Sequence, residues 1–381
     1  MDASDPGMSR AIAKTPRRGV LGVAGFVVVM LAAVVLVGLG GCARYAGPAV
    51  EVSFVSADGT RLAGTWVHPP HAAASAPAIV LLHGAEAATR SLAYRMHANV
   101  FVERGIAVLL FDKRGAGESG GDHNGRRYAQ LVDDALAALE WVARRPEVDA
   151  SRLGLVGISE SGWITPEVAE RHGGLSMVIN KSGPALAWPV ISEWERYHEI
   201  LAEGASEHSA REQAAVYRRL WAYQVERTAE RRLGLESELR AWARRKDSRL
   251  PVELADYSET TVSRIRYDPG PFLERMQVPM LYVYGRHDVN VPILACVERL
   301  RSLAAQGRPV RHHVFEGEGY EIGGLRWWPP GYGFADGYVE LISEFALRHL
   351  SSRGAAMKTG PRGPYAVHAG GGSGIRTRGG L

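Results

Sequence analysis

The segment Val156-Gly157-Ile158-Ser159-Glu160-Ser161-Gly162 constrains the fold more than any other stretch of the chain. Arg152 to Val156 reads as a short buried strand, and Trp163 to Arg171 reads as a helix, which leaves few residues for the reversal between them. A serine at the apex of so tight a turn is forced into a strained backbone, and its hydroxyl is projected out of the sheet. The residues two positions away must be small, because the turn brings their backbones together. Gly157 meets that demand on one side, and Ser161 followed by Gly162 nearly meets it on the other. The same residues also suit an ordinary strand–turn–helix junction with a capping serine.

The segments around this turn repeat the same alternation. Val50 to Val67 holds two alternating stretches flanking Asp58-Gly59, a hairpin signal. Residues 70–77 form an Ala/Ser/Pro linker. Continuous apolar runs at Ala78–Leu82, Ile106–Phe111, Met177–Asn180 and Val278–Gly285 suit strands buried on both faces. Between them lie helical patterns. In the one from Tyr128 to Arg144, Leu131, Ala135, Leu136 and Leu139 share a face. Ile293–Ala305, a strand at Val310–Phe315 and a helix at Tyr338–Leu350 complete the series. The order predicts an α/β fold, a mainly parallel, doubly wound sheet with helices on both faces. Residues 42–183 form the first part of this core and residues 276–352 the second. Between them, residues 184–275 read as helix only and carry Trp188, Trp194, Trp221 and Trp242. This insertion is expected as a lid over the carboxyl edge of the sheet; the alternative is a solvated helical decoration. Beyond residue 352 the chain is rich in Gly, Arg and Pro, so residues 353–381 are expected to be disordered.

Residues 1–41 have the character of a targeting segment. Lys14, Arg17 and Arg18 precede an apolar run from Gly19 to Leu39, which ends Leu39-Gly40-Gly41-Cys42. That ending is similar to a bacterial lipobox, with Cys42 as the lipidated residue. About 20 apolar residues would equally serve as an uncleaved membrane anchor. Arg17-Arg18 fits a twin-arginine signal poorly. Either leading reading places the folded domain in the cell envelope, outside the cytoplasm. The net charge of only +4 over 381 residues, with no basic patch interleaved with aromatics, argues against a nucleic-acid partner. Cys296 is the one other cysteine. With Cys42 lipidated it has no disulfide partner, and it falls on an apolar helix face with Ile293, Leu294, Val297 and Leu300.

Four motifs in this order carry a family resemblance: His83-Gly84; Asp112 with Arg114-Gly115-Ala116-Gly117-Glu118-Ser119; Gly157 to Trp163; and Gly285-Arg286-His287-Asp288 with Val291-Pro292. Over roughly Val50 to Leu350 the chain resembles an α/β-hydrolase, similar to bacterial serine esterases and acyl-peptidase-like members of that superfamily. The resemblance implies Ser159 as nucleophile, the backbone amides of Ala85 and Glu160 as oxyanion donors, and Asp288 as the acid that orients a base. Asp112 reads as a structural turn residue, and His83 as a support for the oxyanion loop. No cofactor is implied, and His287, His312 and His313 show no metal-ligand spacing.

The chain departs from the resemblance at the base. The family places a histidine just after the last strand in a G-x-x-H loop, and here Phe315-Glu316-Gly317-Glu318-Gly319-Tyr320 puts Tyr320 in its position. A phenol with a pKa near 10 is a poor general base at neutral pH. His313 or His312, upstream in the strand, are the substitutes within reach of the sequence argument. Two functions therefore stay open. One is a membrane-tethered serine hydrolase acting on a small acyl ester, or less readily an amide. The other is a catalytically weak or silent member of the fold that binds a ligand or partner.

Overall fold

The computed structural model describes residues 44–70, 75–326 and 331–351. Cys42, the apolar segment before it, residues 71–74 of the linker and the tail 353–381 lie outside the described residues.

The first two strands, β1 (Ala49–Val55) and β2 (Arg61–Val67), form an antiparallel hairpin closed by Asp58-Gly59. Strand and helix then alternate through β3 (Ala76–Leu82), α1 (Leu92–Val102), β4 (Ala107–Phe111) and α2 (Tyr128–Ala143). The series continues with β5 (Val148–Ile158), α3 (Ser161–His172) and β6 (Met177–Lys181). After a helical insertion come β7 (Met280–Gly285), α9 (Ile293–Ala305), β8 (Val310–Phe315) and α10 (Tyr338–Leu350). The eight strands form one sheet in the order β1-β2-β4-β3-β5-β6-β7-β8. From β4 onward every pairing is parallel, as strands joined by helical crossovers must be.

Alternating side chains divide the core in two. Ala78, Val80, Leu82, Leu109, Phe111 and Leu155 pack on one face with α2, α3 and α9. Ile79, Leu81, Val108, Leu110, Val156 and Ile158 pack on the other with α1 and α10. This is why the strands read as unbroken apolar runs: both of their faces are dry. Full burial of each Val, Leu, Ile or Phe among them stabilises by about 1.5–3 kcal/mol.

Between β6 and β7 the chain forms α4 (Trp188–Ala202), α5 (Glu207–Glu226), α6 (Ala229–Trp242), α7 (Glu259–Ile265) and α8 (Gly270–Arg275). These helices have a core of their own, in which Trp221 and Trp242 join Val216, Leu220, Leu235 and Leu239. Trp188 links that core to the main one, packing edge-on to Trp221 at 5.1 Å, and its amide donates to the Tyr267 carbonyl at 3.1 Å. The Tyr267 hydroxyl donates to Glu167 on α3 at 2.8 Å, docking the insertion beside the turn that carries Ser159.

Two details differ from the sequence reading. On α9 the buried stripe is Ile293, Cys296, Val297, Leu300 and Leu303, whereas Leu294 is 71% exposed, because it lies one position off the helical repeat. A small hairpin, β9 (Gly323–Arg326) with β10 (Gly331–Phe334), follows the last strand of the sheet. Four-residue strands in which half the positions are glycine carry only a weak strand signal. Among the described residues no helix is long and apolar enough to cross a membrane.

Trp221 is 4% exposed at the centre of the insertion. Trp221→Ala is expected to lower stability by about 3–5 kcal/mol, measured as a fall in the urea midpoint.

Candidate active site

Ser159 has φ +54°, in the left-handed region that a side chain normally avoids. Local contacts hold it there. Its amide donates to the Lys181 carbonyl at 2.9 Å, and its carbonyl accepts from the Gly162 amide at 2.7 Å. A Cβ on Gly162 would collide with the Gly183 backbone, so the start of α3 needs glycine to lie against the end of β6. Buried Ser161 donates its hydroxyl to the His83 carbonyl and ties the turn to the loop after β3.

That loop carries Ala85, the first of the two expected oxyanion donors. The Gly84 amide donates to the Tyr94 hydroxyl at 2.9 Å, which in turn donates to Glu86 at 2.7 Å, leaving Ala85 exposed on the cleft. Neither the Ala85 nor the Glu160 amide has an acceptor among the described residues. Glu160 stands at the start of α3, where a helix leaves its first N–H groups unpaired. Two free donors beside a projecting hydroxyl are the arrangement that holds an oxyanion.

The Glu160 side chain plays a separate part. It is buried and bound by Lys113 and by Arg126, the latter at 3.1 and 3.2 Å. Arg126 also donates to the Ala85 carbonyl at 2.8 Å, and Lys113 donates to the Gly84 carbonyl. One buried charge cluster therefore fixes both oxyanion segments. Burial alone would raise the Glu160 pKa, but the two cations outweigh it and hold the carboxyl below its usual range. Lys113 and Arg126 carry no spacing signal, and the sequence reading missed them.

Asp288 lies buried after β7. Its Oδ1 accepts from the Asn290 and Val291 amides at 2.8 and 3.2 Å, while Oδ2 has no partner among the described residues. Burial raises its pKa, against the pull of those amides and of Lys181. The loop after β8 then folds back across the sheet edge. A Cβ on Gly285 would strike the Gly319 and Glu318 carbonyls, so that loop crosses directly over a glycine. The Glu318 carbonyl accepts from the His287 amide at 2.8 Å, and the Tyr320 carbonyl accepts from the Ser182 hydroxyl at 3.0 Å. Tyr320 arrives beside Ser159, close enough for the serine hydroxyl to influence the phenol. Burial pushes the phenol up to about 12; the neighbouring Ser159 hydroxyl opposes this, while Glu86, Glu321 and Asp288 add to it.

The two candidate substitute bases sit elsewhere. Three interstrand spacings, about 14 Å, separate β5 from β8. His313 is exposed and packs edge-on to Phe315 at 4.5 Å, and half-buried His312 has Arg301 and His313 as its charged neighbours. Side chains stand perpendicular to a sheet, so neither imidazole is directed at Ser159. His287 is exposed. His83 is fully buried against Tyr94 and Phe111, and burial, aided by Lys113, brings it down to about 3. It stays neutral and structural. Asp112 accepts three bonds from Arg90 at 3.0 to 3.1 Å and one from the Glu118 amide at 3.0 Å, as a turn residue does.

Above Asp288, α4 and the loop after β7 border a cavity of about 600 Å³ lined by Glu195, His198, Glu199, Leu201, Ala202, Val289 and Asn290. Burial lifts the Glu195 pKa to about 7, with smaller contributions from Glu199, Asp288 and Glu160. The insertion thus brings titratable groups to the site, which helical periodicity alone did not show.

This fold and site define an α/β-hydrolase. The sequence pattern of the X-Pro dipeptidyl-peptidase (S15) family matches residues 58–319, and the chain belongs to that family. A thiohydrolase of Aspergillus aculeatus is 34% identical over 113 residues, which is 29% of this chain and 34% of the relative's length. A probable dipeptidyl-aminopeptidase B of Fusarium vanettenii is 31% identical over 144 residues, 35% of this chain and 15% of that protein. The chain thus spans about a third or less of either relative. The solved structure of an esterase from Pyrococcus furiosus shares the fold with a TM-score of 0.54 at 16% identity, covering 80% of this chain and 92% of that one. The protein has the α/β-hydrolase fold.

Glu160→Gln leaves Lys113 and Arg126 without their shared counter-charge. Removing one member of a buried ion pair costs about 3–5 kcal/mol, and urea unfolding is expected to show a loss of that size.

Proposed function

We propose that the chain hydrolyses an ester of a small acyl group, and an amide less readily, through an acyl-enzyme on Ser159. The observation that carries this reading is the strained Ser159, with Tyr320 beside it and the two free amides of Ala85 and Glu160 flanking it. Attack by Oγ on a carbonyl would place the negative charge between those amides, where each donor contributes about two to three powers of ten in rate.

Tyr320 decides the substrate preference. Amide cleavage requires a good proton donor to the leaving amine, whereas an ester's alkoxide or phenolate departs with less help. A tyrosine pushed up to about 12 is protonated through the neutral range. The phenolate fraction is then about 10⁻⁴ at pH 8 and rises tenfold for each pH unit. Turnover is therefore slow at neutral pH and increases toward alkaline pH. The same feature, with Asp288 Oδ2 left unpartnered, supports the second reading of a nearly silent fold that binds a small acyl ligand without turning it over.

Hydrolysis of p-nitrophenyl acetate and butyrate between pH 6 and 10.5 separates the two. The wild type is expected to show a rate that climbs with pH without a plateau at neutrality. Tyr320→His is expected to gain about 10²-fold near pH 7, with a plateau above the imidazole pKa, because Asp288 Oδ2 is available to orient the new ring. Ser159→Ala removes the activity of both. Activity that survives Ser159→Ala contradicts the acyl-enzyme; no activity from wild type or Tyr320→His at any pH supports the silent fold.

We also propose a membrane tether at Cys42, supported by Leu39-Gly40-Gly41-Cys42 after an apolar run. Intact mass of the membrane-extracted protein is expected to show a diacyl- or triacyl-cysteine at its new N-terminus. Retention of Met1 to Gly41 indicates the uncleaved anchor instead.

A further inference from the structure

Lys181, the last residue of β6, is buried at 2% side-chain exposure although it carries an ammonium. Burying an unpaired charge is costly, so the surroundings of this one are informative. Its Nζ stands 4.2 Å from the centre of the Tyr320 ring and 3.7 Å from Glu321 Oε2. Burial lowers its pKa, against the attraction of Glu321, of Asp288 in the loop after β7 and of Glu86 in the loop after β3. His97 on α1 also faces it; burial, together with Lys181, brings that imidazole down to about 4, so it adds no charge at neutral pH. Tyr320 faces Ser159, Glu86, Glu321, Asp288 and Tyr94. Lys181 is the cation placed against its ring among three carboxylates.

The position has a chemical consequence. A cation on the face of a neutral phenol gains a quadrupole attraction of about 0.5–2 kcal/mol. Once the phenol ionises, that attraction becomes one between full opposite charges. The ammonium therefore favours the phenolate, against Glu86, Glu321 and Asp288, which oppose it. The backbone of the same residue accepts the Ser159 amide, so nucleophile and cation are set by one position in the sheet.

We propose that Lys181 is a positioning residue that promotes ionisation of Tyr320, making the Tyr320 phenolate the base for Ser159. The proposal rests on the assignment of Ser159 as nucleophile. In the acylation step the Ser159 hydroxyl proton passes to the phenolate oxygen as the Oγ–acyl bond forms. The Tyr320 hydroxyl then returns that proton to the leaving alkoxide as the acyl C–O bond breaks. Lys181 transfers no proton in either step.

The test is the pH profile of kcat/KM for p-nitrophenyl butyrate in wild type, Lys181→Met, Lys181→Arg and Glu321→Gln, with near-ultraviolet circular dichroism to establish folding. Removing an opposite charge at this range shifts a pKa by about one unit or more. Lys181→Met is expected to move the rising limb up by at least that much and to cost about tenfold at pH 8. Lys181→Arg, which keeps the cation, is expected to restore most of the rate. Glu321→Gln removes a repelling carboxylate from the exposed rim and is expected to move the limb down, a result that stands even where Lys181→Met does not fold. A loss in Lys181→Met that is equal at every pH assigns Lys181 to structure alone and overturns the proposal. An unmoved limb in Glu321→Gln, with Lys181→Met either unfolded or unshifted, overturns it as well. Activity that survives Ser159→Ala would instead remove the nucleophile assignment itself.

Discussion

The site depends on one backbone conformation, the left-handed Ser159 between β5 and α3. Such a residue costs about 1–3 kcal/mol and persists only where its surroundings over-determine it. Here the Lys181 carbonyl takes its amide, Gly162 lies against Gly183, and Ser161 bonds to the His83 carbonyl. Those three contacts reach the end of β6 and the loop after β3. The strain that projects the hydroxyl is thus supported by the strand beside it and by the oxyanion loop.

A second constraint is electrostatic. Glu160, Lys113 and Arg126 form a buried cluster behind the oxyanion amides, while Lys181, Asp288, Glu86 and Glu321 surround Tyr320 on the other side of Ser159. The first cluster has cations in excess and holds a carboxylate ionised. The second has carboxylates in excess and keeps a phenol protonated. A hydroxyl between two such environments has donors near it and a weak base beside it, which is the balance that the proposed slow, alkaline-favouring ester hydrolysis rests on.

Much of the fold was legible because its signals are local. Buried parallel strands read as apolar runs, Asp58-Gly59 marked the hairpin, and α9, β8 and α10 have the bounds that periodicity indicates. The identity of the residue beside Ser159 was legible too, since Tyr320 stands at a fixed distance after the last strand. The charged groups were not. Lys113, Arg126, Glu86 and Glu195 come from four separate segments, and only folding brings them together. Lys181 had no pattern to mark it, because a lysine at the end of an apolar strand looks like a solvated terminus until its neighbours bury it. His312 and His313 show the reverse: the right residue type close in sequence, but fixed to an edge strand three spacings from the nucleophile.

Covalent trapping tests the central claim most directly. A fluorophosphonate needs an activated serine and an oxyanion site but no leaving-group proton, so it reports on this half of the machinery alone. The protein labelled at pH 9, digested and sequenced by mass spectrometry is expected to carry one adduct, on Ser159, formed faster at pH 9 than at pH 7. An adduct on any other residue, or none at either pH while the fold is intact, would contradict the assignment of Ser159 as the nucleophile.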